Sequence, residues 1–137
     1  MYATPQDIED RYGRDALLTA ADLDGDGEPD AALLDSALAD ATAEIDVYLT
    51  AQYVLPLPVV PAVVTRLAVD IALYRVASTA DRATEEQRKR YEDAVGLLTK
   101  ISKGVVSLGL APAEQPASSP GVVTVSGPPR RFGRGSL

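Results

Sequence analysis

The chain has 137 residues, with 13 basic against 20 acidic side chains for a net charge of −7, and it contains neither histidine nor cysteine. That length predicts one domain with a modest core. The missing residue types exclude disulfides, thiolate chemistry and imidazole as base or metal ligand, and the acid excess disfavours a general grip on nucleic-acid phosphates.

The first helix is predicted to begin at Thr4-Pro5. Thr4 suits the N-cap, Pro5 the first helical position, and Asp7 stands where it can reach back to the cap. Gly13 ends that helix, and a short second one follows over about 15–20. Asp22 to Asp30, with Gly25, Gly27 and Pro29 inside it, cannot be regular structure.

From Ala31 the apolar positions Leu34, Leu38, Ala41, Ile45 and Tyr48 recur at helical spacing and predict a helix reaching Tyr53. Asp35, Asp40, Glu44 and Asp46 lie mostly off that stripe. Pro56 and Pro58 then break the chain. The next helix is expected from Pro61 to Ser78. It is apolar nearly all round, which predicts a central position. Its charges Arg66 and Asp70 stand one turn apart and can pair, either as a solvated seam, the more economical reading, or, with Arg75, as contacts between subunits. These charges and the prolines make the run from Val54 to Ala77 a buried helix rather than a membrane span. The N-terminus lacks the basic-then-apolar pattern of a secretory signal.

Thr84 opens the last long helix, with Gln87 completing a capping box. Glu85 and Glu86 each precede a base by four residues, Lys89 and Arg90. Tyr91, Val95, Leu98 and Ile101 form the inward stripe. Lys100 and Lys103 complement the helix C-terminus, and Gly104 stops it. Val105 to Leu110 is predicted as a short extended exit.

The composition changes after Leu110. Residues 111–137 hold nine Pro or Gly, one acid (Glu114) and three arginines. A Pro-rich spacer runs from Pro112 to Pro120. Val122, Val123, Thr124 and Val125 form the one strand-like run, suited to adding a strand to a partner's sheet edge. Phe132, the sole phenylalanine, is flanked by Arg130, Arg131 and Arg134, the composition of an interface anchor. The fold class is therefore mainly α: a small bundle of four to five helices over 1–110, with an extended, basic C-terminal arm over 111–137. Such an arm orders on docking, and trades ordering entropy for a long contact.

The loop after the second helix carries the first half of a calcium-loop pattern. Asp22, Asp24 and Asp26 occupy positions 1, 3 and 5, Gly27 position 6, Glu28 position 7 and Asp30 position 9. A hard cation wants several oxygens from one tight turn. Position 12, where a bidentate Glu belongs, is Leu33, so Ca²⁺ is an optional rather than required cofactor. The plain alternative is a polar connector in which Asp30 caps the following helix. No Ser/His/Asp or Cys/His set, phosphate loop or zinc pattern is present, and no carboxylate pair stands out, so no enzyme is expected.

Over residues 1 to 110 the sequence resembles the head–tail connector (neck adaptor, or head completion) proteins of Mu-like bacteriophages. The likeness rests on the Met1 to Asp7 start, the Asp22 to Asp30 loop, Ala37 to Leu49 and Gln52 to Pro58. It continues through Arg66 to Arg75, Arg90-Tyr91, Gly104 and Ser107 to Gly109. The tail matches in character alone.

The resemblance implies a virion protein of the neck, between capsid and tail, assembled in the host cytoplasm. It implies a dodecameric ring below the portal protein, a tail-proximal neck or tail-completion protein on the other side, and a C-terminal arm docked on the portal. DNA would pass through without specific binding. The alternative is a small helical Ca²⁺-binding regulatory or scaffolding module that uses the Asp22–Asp30 loop.

Overall fold

A computed structural model describes residues 1–113. It contains five helices: α1 (Pro5–Tyr12), α2 (Arg14–Ala21), α3 (Ala31–Leu49), α4 (Ala62–Thr79) and α5 (Glu85–Ser102). The protein is mainly α, as the periodicities predict, and there is no strand among the described residues. The arm, with Val122 to Val125, Arg130, Arg131, Phe132 and Arg134, lies outside the described residues.

The ends of the helices are written locally. Thr4 caps α1 through the Asp7 amide, and the Asp7 carboxylate returns to the Thr4 amide at 2.8 Å. Thr84 and Gln87 make the same reciprocal pair at the start of α5. Asp30 caps α3 by accepting from the Leu33 amide at 3.2 Å. Each cap satisfies amides that the first turn leaves without partners. Gly104, at φ +77°, ends α5 in the left-handed conformation that an L side chain rarely adopts.

Helix α4 is the centre. It packs against each of the other four helices. Leu67, Ala68, Val69, Ile71, Ala72, Leu73 and Val76 are buried on all its sides. Each fully buried Leu or Ile of this kind contributes about 1.5–3 kcal/mol over its exposed state. Helices α3 and α5 flank α4 and also touch each other, while α1 and α2 close the remaining side.

Three local expectations differ from the structure. Helix α3 stops at Leu49, and residues 50–53 turn instead of extending it. The turn buries the Tyr53 side chain, whose hydroxyl accepts from the Leu108 amide at 2.8 Å. Residues 105–113 are an irregular strap rather than an extended exit. Val106, Leu108 and Leu110 press on the core, and the Ala113 amide donates to Gln52 O at 2.8 Å. The third difference concerns Glu85, which pairs with Arg88 one turn on and leaves Lys89 without an ion pair among the described residues. Glu86–Arg90 forms as expected, at 2.9 Å.

Candidate functional site

The loop between α2 and α3 brings together three of the five carboxylates predicted as metal ligands. Oxygens of Asp22, Asp24 and Asp26 lie within 4.8 Å of one another. Asp22 is also the loop's internal anchor, accepting from the amides of Gly25 (2.9 Å), Asp26 (3.2 Å) and Gly27 (3.0 Å). Desolvation pushes its pKa up, but these amides together outweigh that and hold it below the ordinary carboxylate range. Asp24 is lowered by the Asp26 amide but raised more by its acidic neighbours Asp22 and Asp26, and its net shift is upward.

Glu28 and Asp30 serve elsewhere. Glu28 pairs with Arg14 at 3.1 Å, and Asp30 caps α3. Leu33, at the twelfth position, packs against the core. The donor set therefore fits the first half of a calcium loop and lacks its bidentate end.

The charges predicted as subunit contacts fall inside two polar knots within one chain. Asp70 is only 4% exposed, so the solvated-seam reading fails. A carboxylate at that depth needs partners. Tyr12 donates its hydroxyl to Asp70, and Arg66 lies 3.5 Å away along α4. Burial first, and then Asp70, push the Tyr12 pKa up to about 12. The Arg90 guanidinium covers the Tyr12 ring at 4.4 Å, joining α5 to the same knot.

Arg75 belongs to the second knot. Its guanidinium donates to Glu44, which also accepts from the Tyr91 hydroxyl at 3.0 Å. Tyr91 stacks on Tyr74 with ring centroids 4.7 Å apart. The hydrogen bond to Glu44 raises the Arg75 pKa, and burial first, then Glu44, raises that of Tyr91. In both knots the partners come from different helices, 58 and 47 residues apart for the two tyrosines. Arg66 and Arg75 keep part of their side chains in solvent.

Two open grooves of about 350 Å³ flank α4, one against α1 and one against α2 and α5. The first is lined by Asp7, Asp10, Arg11 and Arg66, but Asp7 is engaged by Thr4 and Asp10 by Gln6. Neither groove joins a nucleophile to a base among the described residues. The apolar surface lies elsewhere. Val54 and Val59, in the proline-rich loop before α4, are 67% and 63% exposed, and Val105 after α5 is 70% exposed.

This arrangement, a helical body without a catalytic pair and with apolar and charged side chains turned outward, suits holding neighbours better than transforming a small molecule. The comparisons with known proteins agree. A family model described as "Bacteriophage Mu, Gp36" matches residues 2–126. The chain belongs to the bacteriophage Mu Gp36 family. Gene product J of Escherichia phage Mu is 36% identical over 137 residues, covering 97% of this chain and 94% of the relative. The Mu-like prophage FluMu protein gp36 of Haemophilus influenzae is 38% identical over 119 residues, 87% of this chain and 83% of the relative. Membership implies a phage structural or assembly role. No helix among the described residues is long and apolar enough to cross a membrane.

Proposed function

We propose that this protein is the head–tail connector of a Mu-like phage: a subunit of a ring below the portal, through which DNA passes. Residues 111–137 serve as the arm that docks on the portal, and the opposite side of the ring receives a tail-proximal neck protein. The observation that carries the reading is the near full-length match to gene product J of phage Mu. It stands together with the resemblance of residues 1–110 to neck adaptors.

Physical features support it. A ring subunit requires no catalytic set. Net charge −7 repels DNA phosphates and favours sliding over binding. The strap over 105–113 delivers the chain to the turn at Gln52, so the arm leaves from a fixed point on the body.

Imaging of phage particles with the protein labelled tests the reading directly: density between capsid and tail supports it, and label confined to capsid or tail tip rejects it. Removal of 111–137 is expected to leave the helical body folded and to abolish docking on portal complexes. Replacing Arg131 and Phe132 together by Ala is expected to weaken that docking more than Asp22→Ala does.

A second reading has its own observation, the convergence of Asp22, Asp24 and Asp26. In it the loop binds Ca²⁺ weakly, with Kd of about 10⁻⁴–10⁻³ M, the range of calcium modules with reduced ligand sets. Calorimetry at millimolar Ca²⁺ tests it, and an absence of heat disposes of it without touching the connector reading.

A further inference from the structure

Helices α3 and α5 each turn one face fully to solvent, and the two faces have opposite charge. On α3, Ala32, Ser36, Ala39, Ala43 and Val47 recur at helical spacing on the exposed side, flanked by the exposed Asp35 and Asp40. Neither aspartate has a salt bridge or side-chain hydrogen bond among the described residues, whereas Glu44 and Asp46 are held by Arg75 and Tyr2. On α5 the exposed side carries Lys89, Gly96, Lys100 and Lys103.

Most cations of the body are committed. Arg14, Arg66, Arg75, Arg88 and Arg90 have carboxylate partners, and Arg82 donates to two backbone carbonyls. Arg11, Lys89, Lys100 and Lys103 have none among the described residues, and three of these four share the outer face of α5.

Gly96 gives the second observation. It lies in the middle of an 18-residue helix, where glycine is the poorest choice after proline. Its φ is not positive, and a Cβ built on it would meet nothing within 4 Å. The fold of one subunit therefore gives no reason for a missing side chain there. Close approach of a second helix does.

We infer that the acidic face of α3 on one copy packs antiparallel on the basic face of α5 on the next, with Ala43 over Gly96. In that register the chain directions oppose, so Asp40, three residues before Ala43, falls level with Lys100, four residues beyond Gly96. Both residues lie on the same flank of the contact. Ser36 and Asp35 come level with Lys103. Pairing α3 with α3, or α5 with α5, would set like charges against each other, so the contact is head to tail. A heterologous contact leaves one complementary face free at each end and propagates to a closed ring when the rotation permits. The inference deepens the connector reading by naming the surfaces that would join ring subunits, and to that extent it rests on it.

The absence of native cysteine makes the contact testable by directed cross-linking of the full-length chain. Ala43→Cys and Gly96→Cys variants, mixed and mildly oxidised at high protein concentration, are expected to give the mixed disulfide severalfold over either homodimer. The chain carrying both cysteines should give a ladder of oligomers. Homodimers in equal or greater yield, or no cross-link above that of an Ala80→Cys control, overturns the contact.

Charge reversal provides the second arm. D35K/D40K and K100E/K103E chains should each fail to form the ladder when the cysteine pair is added, and mixing them should restore it. Unchanged ladders in the separate variants overturn the register. Gly96→Leu is expected to leave the monomer folded, since nothing in the subunit meets the new side chain, and to suppress the ladder. If cross-linking fails while labelled protein is still found between capsid and tail, the contact is wrong and the connector reading stands. If the ladder forms but the label lies elsewhere, the reverse holds.

Discussion

Asp70 and Asp22 are both carboxylates that gather several donors, yet they sit in opposite surroundings. The donors of Asp70 come from α1 and from the next turn of α4, and the group is buried. Those of Asp22 are three amides within five residues, in an exposed loop. The first carboxylate ties distant parts of the chain together in a low-dielectric interior, where a lost partner leaves an uncompensated polar group. The second organises a turn that water can also solvate. The same side-chain chemistry thus serves global architecture in one place and local shape in the other, and perturbation should distinguish them.

The largest effect is expected at Asp70. Its replacement by Ala strands the Tyr12 hydroxyl and frees the Arg66 guanidinium near the most buried helix. A loss of about 2–4 kcal/mol is expected, below the 3–5 typical of a fully buried pair because Arg66 reaches solvent. Urea unfolding followed by circular dichroism measures it, and a loss below 1 kcal/mol would remove the distinction from the loop.

Next comes Tyr12→Phe, which leaves Asp70 with Arg66 as its remaining partner and is expected to cost about 1–2 kcal/mol. It also has a signature in pH. Tyr12 titrates near 10 when unfolded and at about 12 when folded. The fold holds a proton that the unfolded chain releases, so stability is at its full value below pH 10 and falls as pH rises from 10 to 12. Tyr2, raised by burial and then by Asp46, adds to the same slope. The Phe variant should show a shallower alkaline decline, and an unchanged slope would mean that Tyr12 keeps no proton through the fold.

Between the two extremes stands a cap. Thr84→Ala removes the side chain that holds the Gln87 amide at the start of α5 and is expected to cost about 1 kcal/mol. A thermal melt is sufficient to read it, and a neutral result would mean that α5 is held by its packing on α4 alone.

The same contrast explains what the sequence made legible. Caps, breaks and the loop are encoded within four residues, and Thr4, Gly13, Asp30, Thr84 and Gly104 all do in the structure what their positions suggest. The all-round apolar pattern of α4 identified the centre of the bundle. Information that crosses the chain was not legible. Nothing near Asp70 announces Tyr12, 58 residues away, so a buried knot looked like a solvated pair. Nothing near Tyr53 announces Leu108, so α3 was extended past Leu49. The metal-like loop shows the converse: its spacing was visible at once, but whether Glu28 turned inward depended on Arg14 in the preceding helix.

Asp22→Ala should have the smallest effect of the series. It removes an acceptor from the Gly25, Asp26 and Gly27 amides, but these lie in an exposed loop, where water replaces it. The flanking helices keep their own anchors, since α3 is capped by Asp30 and the Asp30 amide is tied to Ala21 O at 2.9 Å. The expected loss is about 0.5 kcal/mol, within the range of ordinary surface substitutions. Hydrogen exchange should speed at the three loop amides and stay unchanged in α4, where opening requires the whole bundle to yield. Faster exchange spreading into α4 would show that the loop braces the core, and Asp22 and Asp70 would then differ in exposure but not in role.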